Sequence, residues 1–311
     1  MVFRKFSRFS ALTFQLSSGI LYFSDFFAER RVLMEKQKRV AAIHDLSGYG
    51  RCALTVILPV ISAMGIQCVT VPTAILSTHT GGFSDLVLRD TTDFISPCCK
   101  HYKELQVHFD AIYSGFLASE EQADCCLEFF ESFPSAIKIV DPVMGDDGIP
   151  YQTYTKGLID RTKELVTHAD IITPNLTEAA ILLEKDYPDF LTEAQLRDWA
   201  EKLCQKAKSV VITGVPLEKG GFVNASLDEK GDFRIYNWNR IPVSYPGTGD
   251  IFAAVLTGSI LKGKTLSESV EEAAHFCTLA IKATYESGEP VRNGVEFERV
   301  LGYLCKDTVN L

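Results

Sequence analysis

The chain has 311 residues, of which 46% are hydrophobic and 23% charged, a composition typical of a soluble globular protein. Its formal net charge is −9, and no long basic run follows its N-terminal segment, so a nucleic-acid partner is not expected. Nine cysteines without a CxxC pair favour buried thiols in a reducing compartment over a disulfide framework or a zinc site. We therefore predict a cytoplasmic protein.

The N-terminal segment differs from the rest of the chain. Basic residues precede a semi-apolar stretch over 9–27 that resembles a signal peptide, but polar residues interrupt it and no small-residue cleavage site follows. The stretch is also too polar to span a bilayer, so no membrane association is expected. Met34 directly precedes a charged run that is typical of a true N-terminus. We predict a disordered or start-site extension over 1–38 and a single domain over 39–311.

From residue 39 onward, apolar strand-like runs alternate with helical patterns. Buried β-branched runs separated by helices predict an α/β fold whose parallel sheet is covered on both faces. Alternating residues over 220–241, with a turn at 228–231, predict a β-hairpin. The predicted strands cover 40–44, 67–71, 111–113, 137–140, 171–172 and 210–213. The predicted helices cover about 51–64, 120–133, 153–168, 193–206, 250–262 and 266–286.

Polar residues follow several of these strands. In open parallel sheets, ligands bind at the carboxyl ends of the strands. Each polar residue alone is also explained by a helix cap or a turn, but together they favour a site at one rim of the sheet. Two of them, Asp141 and Glu178, are suited to holding a hydrated Mg²⁺ ion. The complete set is Asp45 and Ser47, then Asp141, then Thr173, Asn175 and Glu178, and finally Thr213.

A glycine-rich turn at 245–250 precedes an apolar helical pattern. Glycines let backbone N–H groups crowd together, and a helix N-terminus adds unpaired N–H groups, so the turn can hold an anion. A carboxylate in its last position can take the proton of a hydroxyl while the N–H groups stabilise an incoming phosphoryl group. The alternative is an ordinary loop with Asp250 as helix N-cap. The predicted catalytic residues are Gly247, Thr248, Gly249 and Asp250.

Residues 258–265 match the P-loop pattern letter for letter. A P-loop follows a strand and opens a helix, whereas this match begins inside a helical pattern. Gly263 is predicted to end that helix, and Thr265 with Glu268 is predicted to form a capping box for the next one. We therefore do not assign a P-loop.

Together these motifs resemble the ribokinase-like superfamily and, within it, the pyridoxal kinases. The resemblance covers about 40–284, and the order and spacing of its motifs are specific. It implies a ribokinase-like three-layer αβα sandwich with a central, mostly parallel sheet, and a homodimer. The motifs are Asp-Pro-Val-Met-Gly at 141–145, Thr-Pro-Asn with Glu at 173–178, Gly-Thr-Gly-Asp at 247–250, Ser-Thr-His-Thr-Gly at 77–81 and Tyr-Ser-Gly-Phe-Leu-Ala-Ser at 113–119.

The resemblance also implies an activity, the ATP- and Mg²⁺-dependent phosphorylation of pyridoxal, pyridoxamine or pyridoxine to the 5′-phosphate in vitamin B6 salvage. It leaves a monovalent-cation requirement open. Asp250 would take the alcohol proton, which is chemically sufficient because phosphoryl transfer depends mainly on positioning and electrostatics. The implied substrate-binding residues are Asp45, Ser47, Thr80 and Gly81, and the implied nucleotide and metal residues are Asp141, Thr173, Asn175, Glu178 and Thr213.

Two residues depart from the pyridoxal kinase pattern. Asp45 stands where those kinases usually carry a serine that binds the pyridine ring, and Asp45-Leu46-Ser47-Gly48 is more similar to the hydroxymethylpyrimidine kinases of thiamin synthesis. Thr213 stands where some pyridoxal kinases have a lysine. The alternatives are therefore a hydroxymethylpyrimidine kinase on the same scaffold, or a non-catalytic vitamer-binding protein. The intact Asp250 argues against the second alternative.

Overall fold

The structure is a computed structural model that describes residues 36–238, 241 and 243–305. The predicted extension over 1–38 lies outside the described residues except for its last three positions. Regular structure in the described part begins at Arg39, where the single domain was predicted to start. Within these residues, no helix combines the length and the apolar character that crossing a membrane requires.

Strands and helices alternate along the described chain. The strands are β1 (Arg39–Tyr49), β2 (Gln67–Thr78), β3 (Leu88–Asp90), β4 (Ala111–Ser114), β5 (Ile137–Val140), β6 (Gly145–Asp146), β7 (Ile149–Pro150), β8 (Ile171–Ile172), β9 (Ser209–Pro216), β10 (Phe222–Leu227) and β11 (Phe233–Trp238). The helices are α1 (Leu54–Ala63), α2 (Thr92–Glu104), α3 (Glu120–Ser132), α4 (Lys156–Thr167), α5 (Leu176–Leu183), α6 (Glu193–Leu203), α7 (Thr248–Leu261) and α8 (Leu266–Ser287). Short 3₁₀ turns follow between Val291 and Tyr303.

The main sheet has the strand order β11-β10-β9-β8-β5-β4-β1-β2-β3 in the described part of the chain. In this order, strands β9, β8, β5, β4, β1 and β2 are parallel to one another, and antiparallel strands lie at both edges of the sheet. The predicted mostly parallel sheet and the predicted hairpin, formed by β10 and β11, are confirmed. The chain order reverses between β1 and β4, and such a reversal opens a crevice at the carboxyl ends of the two strands.

Two hydrophobic cores sandwich this sheet. Helices α2 to α6 pack on one face, and α1, α7 and α8 pack on the other. The central strands bury side chains on both faces, which explains their continuous apolar sequences; residues 40–43, for example, are completely buried. The predicted three-layer αβα sandwich is therefore confirmed.

The first strand is longer than predicted. The sequence predicted that it ends at His44 and that a loop follows, but β1 continues to Tyr49 and pairs with β2 as far as Thr78. The pairing shifts register between His44 and Leu46, so Asp45 has no opposite residue in β2. The glycine, serine and aspartate residues after His44 indicated a loop. The sequence did not show the pairing with β2, because β2 is remote along the chain. The resulting bulge lies beside the crevice between β1 and β4.

The P-loop-like match lies where the sequence predicted it. Its first residues belong to α7, and Thr265 forms a capping box with Glu268 at the start of α8. The Lys264 amine lies 2.8 Å from a carboxylate oxygen of Glu272. The segment therefore connects two helices and does not follow a strand.

If the protein uses ATP, we expect Lys264→Gln to change the KM for ATP by no more than about twofold, because the segment joins two helices and the Lys264 amine pairs with Glu272. Steady-state kinetics at varied ATP concentration test this expectation. A rise in KM of two orders of magnitude would show that the motif binds phosphate after all.

Candidate active site

Asp250 lies in the first turn of α7 but does not cap it. The N-cap is Gly247, and the helix begins at Thr248. The Asp250 carboxylate instead points to the start of α1, where its Oδ2 accepts the Ala53 N–H at 2.7 Å and lies 3.3 Å from Cys52 Sγ. The alternative of an ordinary N-cap is therefore wrong. The N-terminus of α1 therefore faces this carboxylate and favours its negative charge.

Asp250 is buried and yet remains ionised. Burial alone would raise its pKa, but a hydrogen bond and the charge of His44, together with the Ala53 N–H, bring the pKa below the ordinary value. The carboxylate is therefore available as a proton acceptor at neutral pH.

His44 is a site residue that the sequence analysis missed. Its side chain is 3% exposed, its Nδ1 lies 2.8 Å from Asp45 Oδ1, and its Nε2 lies 3.1 Å from Asp250 Oδ1. The second contact is an ion pair without the alignment of a good hydrogen bond. The only sequence signal was a titratable residue at the end of a wholly apolar run, and the pairing with Asp250 lies far away in the chain.

Asp45 and Ser47 are brought together with His44. The Ser47 hydroxyl donates to Asp45 Oδ2 at 2.7 Å, and the other carboxylate oxygen faces the imidazole. Both residues are buried, with exposures of 7% for Asp45 and 0% for Ser47. Their predicted contact with substrate stays a prediction, and any such contact would have to share these oxygens with the protein.

The loop that contains Thr80 and Gly81 lies beside the glycine-rich turn. Both residues are exposed, and a Cβ built on Gly81 would lie 4.0 Å from Pro246 Cγ. His79 holds the loop in place, because its Nδ1 accepts the Gly81 N–H at 3.1 Å while its Nε2 lies 2.8 Å from the Arg292 carbonyl oxygen. The His79 ring is buried and anchors the loop.

Asp141 and Glu178 form a second acidic pair near Asp250. Burial and the negative charge of Asp250 raise the pKa of Asp141 to about 7. Burial and the charge of Asp141 raise the pKa of Glu178 well above its ordinary range. Thr173 lies against Asp141, but its buried hydroxyl makes no aligned hydrogen bond. Carboxylates whose charges are so poorly compensated favour a nearby cation.

The pair suits Mg²⁺ held through water. Glu178 accepts the Asn175 N–H at 2.8 Å and the Met144 N–H at 3.2 Å, so both of its oxygens already have protein partners. Asp141 lies at the end of β5, and the buried Ser114 hydroxyl at the end of the adjacent β4 has no hydrogen-bond partner among the described residues. Mg²⁺ commonly keeps several waters and binds through one or two carboxylates, and this arrangement fits that habit.

A cavity of about 360 Å³ lies beside the acidic groups. The first turns of α5 and α7 line it, and these helix N-termini provide N–H groups and positive dipole ends for an anion. Among the predicted nucleotide residues, Asn175 and Thr213 line the cavity, whereas Asp141, Thr173 and Glu178 do not. The Asn175 side chain is occupied by a capping box and by the Gly145 carbonyl oxygen. Aromatic and aliphatic side chains complete the lining, namely Phe222, Trp238, Val243, Tyr245 and Ile281.

This fold, with a glycine-rich turn that leads into a helix carrying a buried aspartate, defines the ribokinase-like class. Within that class, the chain belongs to the phosphomethylpyrimidine kinase family, whose sequence pattern matches residues 58–294. The resemblance found in the sequence is therefore confirmed.

The relatives carry names from two vitamin pathways. A pyridoxine/pyridoxal/pyridoxamine kinase of Bordetella avium is 29% identical over 79% of this chain and 85% of its own length. The chloroplastic thiamine biosynthetic bifunctional enzyme of Arabidopsis thaliana is 29% identical over 72% of this chain, but the match spans only 42% of that enzyme. A Bacteroides thetaiotaomicron protein, described as a phosphomethylpyrimidine kinase, was crystallised with pyridoxal. That structure has a TM-score of 0.82 and 36% identity, and the match covers 86% of this chain and 96% of that chain.

Proposed function

We propose that this protein transfers the γ-phosphoryl group of ATP to the hydroxymethyl group of a vitamin B6 compound, namely pyridoxal, pyridoxamine or pyridoxine. The single observation that carries the proposal is the buried, ionised Asp250 in the first turn of α7, directly after the glycine-rich turn. A base and a set of backbone donors at one point are what the phosphorylation of an alcohol needs.

In this mechanism, Asp250 accepts the proton of the alcohol. The alcohol oxygen then forms a bond to the γ-phosphorus while the bond from that phosphorus to the leaving ADP oxygen breaks. The N–H groups of the first turn of α7 have no acceptor inside the helix, so they are free to donate to the oxygens of the phosphoryl group. Gly249 leaves open space on this side, because a Cβ built there would meet no atom within 4 Å.

The cavity supports ATP as the phosphoryl donor. Its aromatic and aliphatic side chains suit a flat base, while the helix N-termini suit a polyphosphate. Asp146 and Asp147 also line the cavity and would repel an uncompensated polyphosphate. A bound Mg²⁺ supplies the charge neutralisation that phosphoryl transfer requires. Asp141 and Glu178 would hold that ion through its waters.

We expect Asp141→Asn to raise the Mg²⁺ concentration needed for half-maximal activity by about 10- to 100-fold, as is typical when a group that supports a metal is lost. Titrating Mg²⁺ at fixed ATP measures this change. Asp170→Asn is a suitable control, because Asp170 lies at the opposite end of β8, where it pairs with Lys208 and accepts the Lys138 N–H, an acceptor that asparagine keeps. An unchanged Mg²⁺ requirement in Asp141→Asn would remove Asp141 from the proposed metal site.

Hydroxymethylpyrimidine is the second candidate substrate. The family description and the place of Asp45 on β1 favour it, whereas the pyridoxal in the Bacteroides structure favours a pyridine. The candidates differ in ring chemistry, while the reacting group is a primary alcohol in both. The mechanism that we propose for Asp250 is therefore the same for either substrate.

A side-by-side assay of ATP consumption decides between them. The purified full-length chain is given MgATP and, separately, pyridoxal, pyridoxamine, pyridoxine and hydroxymethylpyrimidine, and each product is identified by mass spectrometry. We expect turnover with the three pyridines. Preference for the pyrimidine would assign the chain to thiamin metabolism, and the absence of turnover with all four would overturn the proposed phosphotransfer.

A further inference from the structure

Three charged side chains contact one another in a continuous buried row at the centre of the site. Asp45 contacts His44, and His44 contacts Asp250, over distances of 2.8 Å and 3.1 Å. The imidazole is 3% exposed and each carboxylate 10%, so water screens these contacts poorly. Two of the three residues come from β1 and the third from α7. These three side chains therefore connect the central sheet to the helix with the predicted base.

The contacts define where the protons lie. A carboxylate only accepts, so His44 Nδ1 must carry a proton where it faces Asp45 Oδ1. The same argument places a proton on Nε2, which faces Asp250 Oδ1. On these two carboxylate contacts we assign the ring as an imidazolium; the Asp45 N–H also points to Nδ1 at 2.9 Å, a contact in which that nitrogen would be the acceptor. Burial would lower the pKa of His44, but Asp250 and Asp45 raise it to about 10, in agreement with this assignment.

The imidazole determines the orientation of the Asp250 carboxylate. Oδ1 faces His44, whereas Oδ2 is held by the Ala53 N–H and the Cys52 thiol. Rotation of the carboxylate about its Cβ–Cγ bond would disturb the contacts on both sides. The imidazole occupies the space beside Gly115, where a Cβ would lie 2.0 Å from its Cδ2.

We propose that His44 is a positioning residue for phosphoryl transfer, which holds the Asp250 carboxylate ionised and oriented toward the alcohol and is itself held by Asp45. This inference rests on the proposed function, in which Asp250 is the base. It also gives Asp45 a role that differs from the direct contact with the substrate ring predicted from the sequence. Other titratable groups face these three side chains. They are the Cys52 thiol before α1, the Tyr113 hydroxyl on β4 and the Asp141 carboxylate after β5.

The decisive experiment is the pH profile of His44→Gln, which removes the charge but keeps an N–H donor. Without the positive charge, the pKa of Asp250 rises, so the acidic limb of the kcat profile should move to higher pH by about one to three pH units. We expect kcat at pH 7 to fall by about 10- to 100-fold, as for other groups that orient a reacting residue, while the KM for ATP stays unchanged. His101→Gln, at an exposed position of α2, is the matched control.

A second variant guards against loss of folding in the first. Asp45→Asn keeps His44 but removes one of its two carboxylates. We expect a lower kcat with an unchanged KM for the alcohol, and ¹⁵N NMR of labelled histidine should show that the titration of His44 moves to lower pH. A raised KM with an unchanged kcat would assign Asp45 to substrate binding and overturn its role in holding His44.

The outcomes separate the two proposals. If the wild type turns over but the acidic limb of folded His44→Gln stays in place, the inference about His44 is wrong and the proposed function stands. A neutral His44 at pH 7 in the NMR spectrum of the wild type also overturns the inference. If the wild type phosphorylates none of the alcohols, the proposed function itself is wrong.

Discussion

Asp250→Asn is expected to lower kcat by about 10²- to 10⁴-fold, the contribution typical of a general base. Asparagine has nearly the same shape and keeps an oxygen that can accept the Ala53 N–H, now 2.7 Å from the carboxylate. Its amide cannot take the proton of the alcohol, so the chemical step loses its acceptor. The KM for ATP should change little, because the Asp250 carboxylate faces His44 and the start of α1.

The variant needs a control for folding, because it also removes a charge opposite His44. The melting temperature measured at the same pH provides this control. Asp232→Asn is a matched substitution at an exposed position, where the carboxylate pairs with Arg234. Near-normal turnover of folded Asp250→Asn would exclude Asp250 as the base and leave the buried carboxylate with a structural role only.

Gly247→Ala is expected to have the second large effect, on both stability and turnover. The residue has φ +80°, a left-handed conformation that costs an L-residue about 1–2 kcal/mol. A Cβ built there would also lie 2.1 Å from the Arg51 carbonyl oxygen, so the backbone must move. Such a movement displaces the N–H donors of the turn, and loss of one such donor typically costs about 10²- to 10³-fold in kcat.

Gly249→Ala is the control for this variant. It also replaces a glycine of the same turn, but at a position where a side chain has room. Gly249 is already helical, and a Cβ built there would meet no atom within 4 Å. We expect its melting temperature to equal or exceed that of the wild type, because alanine favours a helix more than glycine does. If Gly247→Ala melts at the wild-type temperature and turns over normally, the close approach to Arg51 does not restrain the turn.

Patterns within short stretches of sequence predicted the secondary structure around the site well. The start of α7 followed from the glycines that precede an apolar helical pattern, and the capping box at Thr265 followed from residue types three positions apart. The hairpin of β10 and β11 was also predicted, since its turn and its alternating strands are adjacent in sequence. In each case, the residues that determine the structure are close together along the chain.

Contacts between remote segments were not predictable in this way. β1 continues past His44 because β2 provides its hydrogen-bonding partners, and no local pattern shows that pairing. Likewise, Asp250 turns away from its own helix because the Ala53 N–H and His44 attract it, and both lie far away in sequence. Asp141 and Glu178 were predicted as a Mg²⁺ site from their places after two strands, and that role stays a prediction. The roles of the predicted substrate and nucleotide residues stay predictions.

The close fit between His44 and Gly115 has an evolutionary consequence. The imidazole occupies the space that any side chain at position 115 would need. Among homologues, the two positions should therefore vary together. Lineages that keep a large residue at position 44 should retain glycine at position 115, and a side chain at position 115 should appear only after position 44 has become smaller. In those lineages, another group must compensate the buried negative charges, so the order of historical substitutions across this family would be constrained by a single contact.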